Sequence, residues 1–175
     1  MDNNKKLLVL VDKNDQAIGY MPKLEAHQKG ILHRAFSVFV LNSQGKLLLQ
    51  KRAESKYHSP NLWANTCCSH PYIGESVTEA AHRRLDEEMG LSIKLKFLFS
   101  FIYKADVGGG LTENEFDHVF VGETDTPPII NPQEVAEWKW ISLENLKDNI
   151  ENFPHHYTIW LQIIFPRFYK HFTKS

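Results

Sequence analysis

The segment GESVTEAAHRRLDEEMG, residues 74–90, constrains the fold more than any other part of the chain, because it marks both ends of one helix. Ser76 is followed three residues later by Glu79, and this spacing is the capping box of a helix N-terminus. Gly90 can take the left-handed conformation in which helices commonly end. The sequence therefore predicts a helix from Ser76 to Met89.

Short apolar runs on both sides of this helix predict strands, because they alternate or cluster apolar residues over lengths typical of strands. These runs are KLLVLVD, RAFSVFVL, KLLLQKR, IKLKFLFSFIYKA, EFDHVFVGET and EWKWIS. The turn NSQG joins RAFSVFVL to KLLLQKR as a hairpin. The stretch VGGGLTENE is the most loop-like part of the chain, and it ends in two carboxylates, so we expect it to be a functional loop.

Three further segments predict helices. MPKLEAHQKG has Pro22 at a tolerated first helical position and ends in Gly30, which suits one short helix. LENLKDNI and FPHHYTIWLQIIFPRFYKHF have helical spacing, and Pro166 is expected to kink or break the second of these. A chain of 175 residues with 42% hydrophobic side chains can bury one substantial core, so we expect residues 1–175 to form a single domain.

The net charge and the cysteine content limit which classes of partner and which cellular compartment are expected. The formal net charge of -1 provides no global field for nucleic acid or a membrane surface, so neither is expected as a partner. The apolar run near the start is too short for a signal-peptide core, which favours a cytoplasmic location. Cys67 and Cys68 are adjacent, which is too close for an ordinary disulfide, so both are predicted to be thiols in a reducing compartment.

Two residue pairs have the i, i+2 spacing that puts both side chains on one face of an extended segment. These pairs are Cys68 with His70 and Glu113 with Glu115. Together with His27 and His33 they would form a set suited to a divalent transition metal, with zinc or manganese favoured over calcium because imidazoles are present. Histidines that are only hydrogen-bonded, and glutamates that are only solvated, remain the alternative.

Basic residues form two groups. On the predicted helix, Arg84 and Glu88 lie at i and i+4 on one face, with small residues in the turns before them. Lys51, Arg52 and Lys56 follow the hairpin. Both groups could bind an anionic ligand, and a surface ion pair and a solvated face are the alternatives.

Four blocks in order carry a family resemblance: LHRAFSVFVLNSQGKLLLQKRAESK, NTCCSHP, GESVTEAAHRRLDEEMG and TENEFDHVF. From about Lys23 to the EWKW segment, the chain resembles the type I isopentenyl-diphosphate delta-isomerases, the isomerase branch of the Nudix superfamily. The resemblance implies an α+β fold, an α/β/α sandwich of Nudix type with a mixed central sheet flanked by helices. It also implies isomerisation of isopentenyl diphosphate to dimethylallyl diphosphate in isoprenoid biosynthesis.

The chain departs from the pattern of the Nudix hydrolases at two positions. Ser69 stands at the first glycine, and Arg84 stands where a glutamate should follow the arginine Arg83. An arginine here depletes the carboxylates that gather metal for cleavage, and it favours holding a diphosphate. A Nudix diphosphate hydrolase remains the second hypothesis, although it leaves Cys68 and His70 without a role. A structural zinc site in a binding module is a third.

The resemblance assigns roles to particular residues. The transition-metal ligands, for one Mn²⁺ or Zn²⁺, would be His27, His33, His70, Glu113 and Glu115. A Mg²⁺ site that forms with the substrate's diphosphate would use Glu88 and the backbone carbonyl of Cys68. The diphosphate-binding cations would be Lys23, Arg52, Lys56 and Arg84. The catalytic residues would be Cys68, Glu115 and Tyr103, and Trp160 would form an aromatic wall.

Isomerisation of an unactivated alkene requires an acid and a base on the two sides of the substrate. Glu115 is the candidate donor and Cys68 the candidate acceptor, with a pKa lowered by the following helix and nearby cations. Their roles exchange in the reverse direction, so it stays open which of the two is the acid in each direction.

Cys67 should face the opposite way from Cys68, as a packing residue. Asn61 replaces a usual glycine and should tolerate a left-handed backbone. We expect a monomer acting on a small-molecule diphosphate.

Overall fold

The computed structural model describes residues 7–173; the first six and last two residues of the expected single domain, including Lys6 of the first expected strand, lie outside that range. Within it the chain forms nine strands and four helices. The strands are β1 (Leu7–Val11), β2 (Ala17–Pro22), β3 (His33–Leu41), β4 (Leu47–Arg52), β5 (Trp63–Ala64), β6 (Cys67–Ser69), β7 (Leu95–Gly108), β8 (Leu111–Glu123) and β9 (Val135–Ile141). The helices are α1 (Lys23–Lys29), α2 (Val77–Met89), α3 (Leu143–Asn152) and α4 (Ile159–Thr173).

The sheet is mixed and centres on β3. This strand pairs antiparallel with β1, β4 and β6, and parallel with β8. Strand β8 also pairs antiparallel with β7, and β4 pairs antiparallel with β5 and β9. The registers place His33 beside Glu115 and Ser37 beside Cys68. Segments that are far apart in the sequence are thereby brought together at one end of β3.

Helices cover both faces of the sheet, as expected for the α/β/α sandwich. Helix α2 packs on one face over a core that includes Phe36, Val38 and Cys67. Helices α3 and α4 pack on the other face over a core that includes Phe39 and Leu47. The change of side between Val38 and Phe39 follows from the alternation of side chains along a strand.

Helix α2 confirms the prediction made from its termini. The Ser76 hydroxyl accepts a hydrogen bond from the backbone N–H of Glu79, and the Glu79 side chain accepts from the backbone N–H of Ser76. Gly90 ends the helix with a φ of 62°. A Cβ atom at Gly90 would lie 2.7 Å from the backbone oxygen of Ile129, so only glycine fits this position without displacing the chain.

Two local predictions are wrong. The stretch expected to be a loop is reduced to a tight turn around Gly108, Gly109 and Gly110, which all have positive φ, while Leu111–Glu123 is strand. The ladder between β7 and β8 extends down to this turn, and the pairing satisfies backbone groups that a loop would expose. The break expected as one outcome at Pro166 is also absent, since this residue lies inside the continuous helix α4. The burial of Leu161 and Phe168 against the sheet holds the helix together across this residue.

The stretch FPHHYTIWLQIIFPRFYKHF, predicted as helical, forms a short turn and then α4. Pro154–His156 is a short 3₁₀ turn, and the backbone N–H of Thr158 then donates to Trp63 O at 2.9 Å, which anchors the start of the helix to β5. Among the described residues, no helix is both long enough and apolar enough to cross a membrane.

Candidate active site

A cavity of about 250 Å³ opens at the end of β3. It lies between α1, α2, α4 and the segment that joins β4 to β5. The predicted site residues that line it are Lys23, Arg52, Lys56, Cys68, His70, Arg84, Glu88, Tyr103, Glu113, Glu115 and Trp160. The sheet register explains part of this convergence, because β6 and β8 both pair with β3: Glu115 lies opposite His33, and Cys68 lies opposite Ser37 four residues further along the same strand.

Four of the predicted metal ligands form one compact cluster beside the cavity. One donor atom from each lies within 4.8 Å of the others, and the four residues are His27, His33, His70 and Glu113. Nε2 of His27 is 3.3 Å from Oε2 of Glu113, and Nε2 of His33 is 3.9 Å from the same oxygen. These residues come from α1, β3, the end of β6 and β8, so the cluster exists only in the folded chain.

The donor atoms of this cluster fit a divalent metal ion. Nε2 of His27, Nε2 of His33 and Oε2 of Glu113 are buried and have no hydrogen-bond partner among the described residues. Nδ1 of His33 is 2.8 Å from the backbone oxygen of Ile31, so in the neutral imidazole Nδ1 donates and Nε2 keeps its lone pair. Buried polar atoms are rarely left without a partner, and three of them facing one point suit an ion.

Protonation of two imidazoles is disfavoured at neutral pH. Burial lowers the pKa of His27 to about 3, although the Glu113 carboxylate partly opposes the shift. Burial, with Lys23 and His33 nearby, lowers the pKa of His70 well below its usual range. Metal binding requires neutral imidazoles, so the surroundings of His27 and His70 suit ligation. The pKa of His33 is raised instead, because Glu115 outweighs the effect of burial, and a metal ion would have to displace a proton from this residue.

Glu115 lies between the cluster and Tyr103. Its Oε1 is 3.1 Å from Nε2 of His70 and 3.7 Å from Nε2 of His33, and its Oε2 accepts a hydrogen bond of 2.7 Å from the Tyr103 hydroxyl. Burial and the Glu115 charge raise the pKa of Tyr103 well above its usual range, so the phenol stays a donor. Burial alone would raise the pKa of Glu115, but the nearby His33 imidazole and the hydrogen bond from Tyr103 together outweigh it, and the pKa is lowered.

The two cysteines point in opposite directions, as predicted. Both are free thiols; Cys67 is fully buried in the core under α2, whereas Cys68 lines the cavity. The predicted lowering of the Cys68 pKa is wrong. Burial raises the pKa of Cys68 to about 12, and the opposing effect of Arg52 is smaller. The thiol is therefore protonated at neutral pH.

The four predicted diphosphate-binding cations line the same cavity. Arg52 is held in place by the backbone, because its guanidinium donates to the carbonyl oxygens of His58 and Ser59 at 3.1 and 3.2 Å. Lys56 forms an ion pair with Glu134, and Nη2 of Arg84 is 3.3 Å from another oxygen of that carboxylate. Lys51, which follows the hairpin together with Arg52 and Lys56, does not line the cavity. Its ammonium group pairs with the exposed Glu137.

Ion pairs join Arg83 and Arg84 to carboxylates on α2 and in the loop before it. Arg84 forms ion pairs with Glu87 and Glu88, and Nε2 of Gln50 donates to Oε2 of Glu88 at 2.8 Å. Arg83 forms a two-pronged contact with Glu75 at 2.7 and 2.8 Å, which ties the helix to the preceding loop. The arginine at position 84 thus occupies the space beside Glu88 in which a further carboxylate would lie.

Trp160 forms part of the wall predicted for it. It is 3% exposed, and the Arg52 guanidinium carbon lies 5.1 Å from its ring centroid. The backbone of Asn61 is left-handed, with a φ of 61°, as predicted for the residue that follows Pro60.

Four further residues that contact the site were not predicted from the sequence: Tyr57, His58, Gln50 and Glu134. The Tyr57 hydroxyl is 2.5 Å from Nδ1 of His27, and Nε2 of His58 is 3.2 Å from Oε1 of Glu113. Gln50 follows three leucines in β4, and a polar side chain directly after this apolar run was the available signal. Glu134 lies in a connection with no motif of its own, and no sequence pattern could have identified it.

Comparison with known proteins matches the chain to a family model and to proteins named as isomerases. A family model described as the NUDIX domain matches residues 31–161. The chain is 54% identical over 159 residues to isopentenyl-diphosphate Delta-isomerase 2 of Photorhabdus laumondii, covering 91% of this chain and 90% of that protein. It is 50% identical over 159 residues to the isopentenyl-diphosphate Delta-isomerase of Serratia proteamaculans, covering 91% and 89%.

Solved structures share the fold at lower identity. A crystal structure of a protein from Deinococcus radiodurans superposes with a TM-score of 0.78 at 23% identity, covering 92% of this chain and 98% of the other. The MutT protein of Methanosarcina mazei superposes with a TM-score of 0.68 at 19% identity, covering 82% and 96%. These likenesses establish the architecture.

Proposed function

The chain belongs to the isopentenyl-diphosphate Delta-isomerase family of NUDIX-domain proteins, and from this membership we propose that it converts isopentenyl diphosphate to dimethylallyl diphosphate in isoprenoid biosynthesis. One observation carries the proposal: a thiol and a carboxylate, Cys68 and Glu115, line a single cavity that is also lined by cations. This combination suits proton transfer to and from a bound diphosphate ester.

Substrate binding begins with the diphosphate. Lys23, Arg52, Lys56 and Arg84 are its proposed partners, and the two guanidinium groups offer forked donors to phosphate oxygens. The backbone carbonyls that hold Arg52 fix the direction of that fork before the substrate arrives. The five-carbon tail would then extend toward Cys68, Tyr103 and Trp160.

Two ion sites are proposed on the same residues that the cavity brings together. His27, His33, His70, Glu113 and Glu115 would hold one Mn²⁺ or Zn²⁺, and the orphaned nitrogen and oxygen atoms of this cluster support the assignment. Glu88, with the backbone carbonyl of Cys68, would hold Mg²⁺ when the diphosphate is present. Bound here, such ions supply positive charge that orients the Glu115 carboxyl group and neutralises the diphosphate.

The proposed reaction adds one proton and removes another, so no net proton is consumed. A proton is donated to the terminal methylene carbon, which leaves a tertiary carbocation at the neighbouring carbon. A proton is then lost from the carbon on the diphosphate side, and its C–H electron pair forms the new double bond. Cys68 and Glu115 are the proposed pair; together they hold one exchangeable proton, and the two exchange roles in the reverse direction.

The surroundings of this pair support the same chemistry. Tyr103 holds one Glu115 oxygen by a hydrogen bond, so the carboxyl group cannot turn away from the cavity. Trp160 and Phe36 contribute aromatic surface to the cavity wall, and the π-face of Trp160 would stabilise the carbocation once water is excluded.

A diphosphate hydrolase is the competing function, and the ion pairs of Arg84 count against it. Hydrolysis within this fold would need a group of carboxylates on α2 to gather several metal ions around the scissile bond, whereas Arg84 stands in place of one of these carboxylates and puts a positive charge beside Glu87 and Glu88. The same guanidinium would hold the diphosphate intact, which an isomerase needs.

We propose further that the protein acts as a monomer in the cytoplasm. Every residue assigned to the site comes from one chain, so no second copy is needed to complete it. A catalytic thiol with a free cysteine beside it suits a reducing compartment.

The test is to incubate the purified protein with isopentenyl diphosphate, Mg²⁺ and Mn²⁺, and to measure the allylic product and free phosphate separately. We expect dimethylallyl diphosphate without phosphate release. Phosphate without allylic product would support the hydrolase instead.

A further inference from the structure

We propose that Tyr57 and His58 are positioning residues of the metal centre, which hold the ligands His27 and Glu113 from outside through the ligand atoms that face away from the ion. The inference rests on the metal centre in the proposed function and adds two neighbouring residues to it. Neither residue belongs to the predicted ligand set, and both lie in the segment that follows Lys56.

The contact between Tyr57 and His27 involves the ring nitrogen on the far side of the cluster. The Tyr57 hydroxyl is 2.5 Å from Nδ1 of His27, whereas Nε2 of His27 faces Glu113 and has no hydrogen-bond partner. The two rings are nearly parallel, with an interplanar angle of 13°. A histidine that ligates through one nitrogen usually donates its other N–H to a fixed acceptor, which sets the tautomer and the ring orientation.

His58 makes the equivalent contact with the carboxylate. Its Nε2 is 3.2 Å from Oε1 of Glu113, while Oε2 of Glu113 faces Nε2 of His27 and Nε2 of His33. Nδ1 of His58 is 3.4 Å from the Ser59 hydroxyl, which can donate to it, so Nε2 carries the proton and donates to Glu113. Each oxygen of Glu113 therefore has a separate role, one toward the ion and one toward His58.

The segment is itself held in place, so it can restrain its two partners. The His58 ring packs edge-on against Trp160, with 5.7 Å between the ring centroids and an interplanar angle of 89°. Its backbone oxygen accepts from Arg52 at 3.1 Å. His58 is only 7% exposed. The same residue thus connects a metal ligand, the aromatic wall and a proposed diphosphate-binding arginine.

The test measures metal affinity directly, by titrating chelator-treated protein with Co²⁺ and following its visible ligand-field absorption. We expect Tyr57→Phe and His58→Ala each to weaken Co²⁺ binding about 10- to 100-fold, the usual effect of removing a partner that orients a ligand. His58→Gln should recover most of the loss, because its amide can donate to Glu113. Tyr20→Phe and His155→Ala, at exposed positions, serve as matched controls and should bind Co²⁺ like the wild type.

Co²⁺ affinities of Tyr57→Phe and His58→Ala equal to that of the wild type would overturn the inference, and a loss confined to one variant would overturn it for the other residue. If His58→Ala does not fold by circular dichroism, His58→Phe takes its place, because it keeps a ring of similar bulk and removes the donor to Glu113. A Co²⁺ affinity of His58→Phe equal to that of the wild type would contradict the role of His58, and a loss that His58→Gln does not share supports it. Absence of the allylic product with the wild type would contradict the isomerase function while leaving these affinities measurable.

Discussion

The Tyr103 hydroxyl donates a 2.7 Å hydrogen bond to Oε2 of Glu115, and both side chains are more than nine-tenths buried. A hydrogen bond to a charged group contributes about 1.5–3 kcal/mol, so its loss is expected to lower a rate that depends on Glu115 by about 10- to 100-fold. We therefore expect Tyr103→Phe to reduce kcat by that factor with little change in KM, as measured by steady-state isomerase kinetics.

The control for this variant is Tyr20→Phe, which removes a hydroxyl from an exposed strand residue and should leave kcat unchanged. A Tyr103→Phe enzyme with wild-type kcat would show that Glu115 keeps its orientation without the phenol. A rise in KM at constant kcat would instead assign Tyr103 to substrate binding.

The adjacent cysteines offer a matched pair of substitutions. Cys68→Ala should abolish turnover, because the cavity loses one of its two proton-transfer groups. Cys67→Ala should keep most of the activity, because the Cys67 side chain lies in the core under α2, where truncation costs on the order of 1 kcal/mol of stability. Product formation and thermal unfolding of both variants separate the two effects. Comparable losses of kcat would mean that both thiols take part in the reaction.

Local sequence signals were sufficient where structure is set by a few neighbouring residues. The capping box of Ser76 and the left-handed Gly90 fix α2, and Asn61 adopts the backbone conformation expected after Pro60. The apolar run of β3 was enough to predict a strand, whereas the helices on both faces of the sheet were expected from the family resemblance.

Predictions failed where long-range pairing decides the outcome. The residues after Gly110 have the composition of a loop, but the ladder with β7 makes them strand. A helix-breaking role for Pro166 was expected from its backbone chemistry, and burial of its neighbours outweighs that tendency. Tyr57 and His58 were missed because their contacts join residues that are 30 and 55 positions away in the sequence.

The prediction that the pKa of Cys68 is lowered was wrong for an electrostatic reason. The helix N-terminus and nearby cations suggested a thiolate, but burial has the larger effect and favours the neutral form. The sequence shows which charges surround a thiol, but it does not show how completely water is excluded from it.

The pH dependence should reflect Lys56. Burial lowers the pKa of this ammonium group to about 8; Glu88 opposes the shift, and Arg52, Lys23 and Arg84 add to it. Lys56 loses its charge as the pH rises through this value, and a neutral amine binds a diphosphate less well. We therefore expect kcat/KM to fall above about pH 8.

Lys56→Arg tests this assignment, because a guanidinium stays protonated throughout the accessible range. The fall in kcat/KM above about pH 8 should disappear in this variant or move to higher pH, even if the substituted side chain lowers the maximum. An unchanged alkaline limb in Lys56→Arg would assign the titration to another group. Lys51→Arg, at a lysine paired with Glu137 outside the cavity, is the matched control and should keep the wild-type profile.

Gln50 is expected to set the affinity of the proposed Mg²⁺ site. Its side-chain amide donates to Oε2 of Glu88 and to the backbone oxygen of Thr66, both at 2.8 Å, and thereby fixes a carboxylate that would otherwise turn within the cavity. Gln50→Met keeps the volume and removes both donors. Because loss of a partner that orients a ligand typically weakens metal binding about 10- to 100-fold, the Mg²⁺ concentration for half-maximal rate should rise by that factor.

At saturating Mg²⁺ the Gln50→Met enzyme should regain most of its kcat, which distinguishes lost ion affinity from general damage to the fold. The unpaired Thr66 carbonyl will also lower the melting temperature, but a purely structural defect would not be reversed by added Mg²⁺. Gln44→Met, at an exposed turn, is the matched control and should need no more Mg²⁺ than the wild type. If Gln50→Met has the same Mg²⁺ dependence as that control, Glu88 does not depend on Gln50 to bind the ion.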